Sequence, residues 1–122
     1  MNNNVYLKNT KLSKYENSII FNPSSRYKEG LNINIESDEK IYNEFRSLLI
    51  DMKLDSKNIG TKEWNPFKDF IKPGNNVLIK PNLVKHENTC DAGDTDSLIT
   101  NFSLIRPIID YTILALNKTG KI

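Results

Sequence analysis

One cysteine, Cys90, stands in a chain of 122 residues. A lone thiol makes no internal disulfide framework, and by itself it holds neither an iron–sulfur cluster nor a structural zinc. Long apolar runs are missing too, so no segment reads as a bilayer span. The opening MNNNVYLKN lacks the hydrophobic core of a signal peptide. A net charge of only +2 is too small to argue for nucleic acid or a membrane surface as a partner. There are no internal repeats, and the only low-complexity tract is Asn2–Asn4, expected as a frayed end. These absences leave a soluble cytoplasmic protein as the expectation.

What is present is enough for a core. Hydrophobic residues make up 38% of the chain and charged residues 26%, a balance that folds rather than stays disordered. The length fits a single domain over 1–122, or the N-terminal portion of a larger one. A domain of this size buries roughly two-thirds of its unfolded surface. Charge is unevenly placed. Residues 1–30 hold five Lys/Arg against two Glu, while His86 to Asp96 hold four acids and no Lys or Arg.

Two helices are expected. Ser37 is a candidate N-cap, with Asp38 and Glu39 suited to the positive end of the helix. Ile41, Tyr42, Phe45, Leu48, Leu49 and Met52 then share one face, with an end near 53–55. A second helix begins after Asn101 and carries Phe102, Ile105, Ile108, Ile109, Ile113 and Leu116. Pro107 sits inside it, either bending the helix or marking its first turn, and Gly120 reads as its stop. Arg106 and Asp110 are spaced for an ion pair. Between the helices, Trp64, Phe67, Phe70 and Ile71 are expected to pack a short helical turn onto the core.

Short β-like runs occur at 5–8 and 18–21, and LNINI at 31–35 alternates. The clearest is Val77-Leu78-Ile79, which follows a Pro73-Gly74-Asn75-Asn76 turn and ends at Pro81. A continuous apolar run suits a strand covered on both faces. The fold class expected is therefore α/β, a mixed or parallel sheet flanked by the two helices.

In open α/β sheets, ligands sit beyond the carboxyl ends of strands. Lys80, Asn82, Lys85 and His86 fall there. Thr100 and Asn101 precede a helix whose free N–H groups suit an anion. The sharp reading is an anionic small-molecule site at Lys80, Asn82, Thr100 and Asn101. The bland reading leaves Lys80 in solvent, Pro81 closing the strand and Asn82 and Asn101 as local caps. Glu87, Asp91, Asp94 and Asp96 form either a solvated acidic loop or oxygen ligands for a divalent ion. His86 and Cys90 are too few for a closed zinc site. No metal site, cofactor or catalytic residue is assigned.

PGNNVLIKPNLV, the later DSLITNFSLIRPIIDY and the closing ALNKTGKI resemble the domain of unknown function family 362. Gly74, Val77, Leu78, Ile79, Lys80, Pro81, Asn82, Gly93, Thr100 and Gly120 carry the resemblance, over residues 73–122. The family is largely uncharacterised and its members are longer, which implies an N-terminal portion here. Some relatives carry a ferredoxin-like iron–sulfur domain, but this chain has no cysteine array to match it. Three functions stay open: binding an anionic small molecule, alone or as part of an enzyme; a non-catalytic structural or interaction module, with a fragment lacking activity of its own as the limiting case; and, third, a metal-dependent enzyme using the acidic loop. Self-association through an open sheet edge is the expected mode of partnering.

Overall fold

The computed structural model describes residues 4–11, 27–29, 40–84 and 98–122. Among them are two α-helices, α1 (Lys40–Asp51) and α2 (Phe102–Leu116), and a 3-10 turn at Ser56–Asn58. No strand forms among the described residues, so the expected α/β sheet is corrected to a helix-dominated fold. Among the described residues the run Val77–Ile79 has main-chain bridges only on its flanks. Asn76 pairs in parallel with Lys121, and Leu83 antiparallel with Ile99. The run is not covered on both faces either, since Leu78 is 90% exposed. The expected strand at 5–8 is likewise absent, with Val5 and Leu7 in solvent. That segment is tied to α1 through Lys8, whose ammonium donates to Ser47 and Asp51. The runs at 18–21 and 31–35 and the Ser37–Glu39 helix start lie outside the described residues.

The apolar face of α1 meets α2 as its spacing requires, with Ile41, Tyr42 and Leu49 buried. The helix ends in a Schellman arrangement. The Leu54 N–H reaches the Leu49 carbonyl at 3.3 Å and the Lys53 N–H reaches Ile50 at 2.8 Å. Lys53 holds the left-handed position of that cap, at φ 56°. Trp64 is fully buried and donates from Nε1 to the Leu54 carbonyl at 2.9 Å. It meets Tyr111 of α2 edge-on, with centroids 5.6 Å apart. Phe67 also packs on the core, but Phe70 is 68% exposed, so the expected aromatic group contributes only in part.

α2 starts where the sequence places it. The Asn101 side chain accepts from the Ser103 N–H at 3.0 Å and from its hydroxyl at 2.8 Å. Pro107 is buried inside the helix rather than in its first turn. The helix stops at Asn117, in the left-handed region at φ 49°, not at Gly120 as expected. Gly120 has a different task. At φ 90° it turns the chain so that Lys121 reaches Asn75 and Val77, and a Cβ there would collide with the Asn75 carbonyl oxygen.

Buried charge ties these pieces together. Glu29 is 5% exposed and accepts from both Arg46 of α1 and the Tyr111 hydroxyl of α2. The Arg46 guanidinium lies 4.8 Å from the ring centroids of both Tyr27 and Trp64. Such stacking offsets part of the cost of taking the cation out of water. Nearby, Asp110 accepts from Arg106 at 2.9 Å, the ion pair that the spacing predicts, and from the Tyr42 hydroxyl at 3.2 Å.

Candidate functional site

Residues 76–84 and 98–101 build the region that the motifs single out. The Asn82 N–H donates to the Thr100 hydroxyl at 3.0 Å, and the Thr100 N–H returns to the Asn82 carbonyl at 2.8 Å. This reciprocal pair fixes the Lys80-Pro81-Asn82 segment beside the start of α2. Three of the four expected site residues, Asn82, Thr100 and Asn101, are thus brought together. Two of them already have local work. The Thr100 hydroxyl oxygen accepts from Asn82, and Asn101 Oδ1 caps the helix. Lys80 is exposed and has no ion-pair partner among the described residues.

The side chains of Lys80 and Asn82 are exposed. Burial alternates along the segment: Val77, Ile79 and Pro81 are half-buried, while Leu78, Lys80 and Asn82 are exposed. That alternation is the period-two signature of extended chain, with the even residues on the outer face. An open cleft of about 410 Å³ lies elsewhere, between the 62–73 segment and the end of α2, and none of the four expected residues lines it. Its cations are already matched, Lys68 by Asp55 and Lys62 by the neighbouring Glu63. The buried Asn65 Oδ1, which has no hydrogen-bond partner among the described residues, belongs to a residue of this cleft.

The main chain of 76–80 is the less expected part. In extended chain, a residue's N–H and C=O share one edge, and successive residues alternate edges. The Asn75 carbonyl and the Val77 N–H are bonded to Lys121, at 3.1 and 2.9 Å. Asn76, Leu78 and Lys80 therefore present their polar groups on the opposite edge, where they have no main-chain partner among the described residues. Pro81, which has no N–H, falls on the Lys121 side and does not interrupt that edge. Further along, Asn82 and Val84 use the same edge to meet Thr100 and Leu98. Counting the pleat from Val77 to Pro81 finds this edge in the sequence; treating the run as a core strand hid it.

Lys85, His86, Glu87, Cys90, Asp91, Gly93, Asp94 and Asp96 lie outside the described residues. Among the described residues no three His, Cys, Asp or Glu side chains are grouped to hold a metal ion. No described helix is long and apolar enough to cross a membrane. No family model, curated protein or solved structure matches this chain.

Proposed function

We propose that the chain is a non-catalytic interaction module that receives an extended polypeptide along the open main-chain edge of Asn76, Leu78 and Lys80. The observation that carries this reading is Leu78, a large apolar side chain 90% exposed in the middle of that edge. An unpaired edge with an exposed apolar residue is a template for strand addition. Both ends of the segment are held by hydrogen bonds, so little ordering entropy remains to be lost on pairing. A cytoplasmic location and kinship with the domain of unknown function family 362, carried by the Lys80-Pro81-Asn82 motif, belong to the same reading.

The test is an amide-resolved titration with an acetylated hexapeptide of alternating valine and threonine. Shifts and slowed exchange at the Leu78 and Lys80 amides are expected. Amides that stay unmoved on this edge while others shift would sink the reading.

A second reading is favoured by the Asn82–Thr100 pair: a weak surface site for a carboxylate or phosphate. Lys80 supplies the charge, the Thr100 hydroxyl a donor, and the start of α2 a favourable dipole. A ligand that binds only the folded chain raises its stability by mass action. Thermal unfolding with inorganic phosphate and with acetate, on wild type and Lys80→Ala, separates the readings. A shift present in the wild type and lost in the variant supports the anion site.

A further inference from the structure

The open edge is self-complementary, and we infer that its partner is a second copy of this chain, paired antiparallel about a two-fold axis at Leu78. This deepens the interaction reading above and rests on it. In an antiparallel ladder, hydrogen-bonded pairs alternate with non-bonded ones, and each bonded pair exchanges both its N–H···O contacts. With Leu78 facing its own counterpart, Asn76 of each copy faces Lys80 of the other. The three residues whose polar groups have no main-chain partner among the described residues are then all matched.

The side chains fit this register. The two Leu78 side chains meet on the outer face and cover each other, where each is otherwise 90% exposed. Each Lys80 lies opposite an Asn rather than another Lys, so no like charges are directly opposed. A contact of this kind is isologous and closes at two copies.

The ladder also ends where both chains permit. The next position, Asn82, would face Gly74 of the other copy. Asn82 has its edge groups engaged with Thr100. Gly74, at φ 85°, sits in a turn closed by the Asn75 N–H to the Lys72 carbonyl at 3.1 Å, which leads the chain away. The turn thus falls where residues 98–100 occupy the edge.

Sedimentation equilibrium over a wide concentration range tests this on the whole chain. The wild type is expected to dimerise. Leu78→Lys, which sets two like charges face to face, is expected to weaken dimerisation at least tenfold. Phe70→Lys, at a residue 68% exposed and outside the 76–80 edge, should leave it unchanged. Amide exchange on the wild type adds a readout that needs no variant: Leu78 and Lys80 should gain protection as concentration rises, and Asn117 should not. A monomeric wild type whose Leu78 and Lys80 amides still respond to the hexapeptide would overturn self-pairing and leave the interaction reading standing. A monomer silent to the peptide would end both. A dimer weakened by Phe70→Lys but not by Leu78→Lys would also overturn the assignment.

Discussion

The Tyr111 hydroxyl donates to Glu29 at 3.1 Å, across 82 positions of sequence. The same carboxylate accepts from Arg46, so one acid holds both helices. Removing the acid leaves a partly buried guanidinium with no counter-charge. Glu29→Gln is therefore expected to destabilise the fold by roughly 3–5 kcal/mol. Tyr111→Phe, which leaves the ion pair intact, should cost only about 1–2 kcal/mol. Urea unfolding of both single variants and the double variant checks the order and the coupling.

Stability should fall at both ends of the pH scale. Burial pushes the Asp55 carboxyl upward, but hydrogen bonds from Lys68, the Asn65 N–H and the Asn58 amide outweigh it and hold the group below its ordinary range. A depressed carboxyl contributes stability above its unfolded value of about 4, and that contribution is lost as pH falls through the lower folded value. Asp55→Asn should flatten this acid limb. Burial, with the nearby Asp110 and Glu29, pushes the Tyr42 and Tyr111 hydroxyls upward. Neutral tyrosine is then favoured in the fold, and stability is lost as pH rises from about 10. Melting temperature against pH reads both limbs.

Gly120→Ala should destabilise more than Gly60→Ala. Both glycines have positive φ, which strains an L side chain by roughly 1–2 kcal/mol. Only at Gly120 does the added Cβ also meet backbone, the Asn75 carbonyl. Equal losses in chemical denaturation would mean that the close approach contributes nothing.

Helix ends give opposite signs. Asn101→Ala removes the cap of α2 and should cost about 1 kcal/mol. Lys53→Gly relieves a left-handed residue at the end of α1 and should stabilise by roughly 0.5–1 kcal/mol. Thermal unfolding of the two variants decides.

Both helices were legible because Ile41, Tyr42, Phe45 and Leu49, and Ile105, Ile109, Ile113 and Leu116, repeat at helical spacing and Asn101 is a strong cap; the buried face of α2 was read less well, since the expected Phe102 is 67% exposed and Tyr111 is buried instead. Arg46 was legible in principle. It lies between Tyr42 and Leu49 on the apolar side of α1, and a charge in that register requires a partner. Its partner Glu29 is 17 residues away, with no local signal to connect them. The α/β reading failed at Val77–Ile79 because composition reports β preference, while a sheet also needs neighbouring strands along its edges. Of the candidate site, the proximity of Asn82 to Thr100 follows no local pattern. The cap at Asn101 does. Asn117 hid the end of α2, since Gly120 offered the more familiar stop.

The Glu29–Tyr111 bond also sets a timetable. At about 5–20 residues per second, a ribosome takes roughly 4–16 s to add the 82 residues between its two ends. For the last 65 of those residues, roughly 3–13 s, Glu29 and Arg46 are both made and Tyr111 is not. Their pairing can precede completion of α2, but the aromatic closure over it cannot. The nascent chain therefore spends seconds with Trp64 uncovered on its Tyr111 side, which makes that window, rather than the finished fold, the period of greatest exposure to chaperones and proteases.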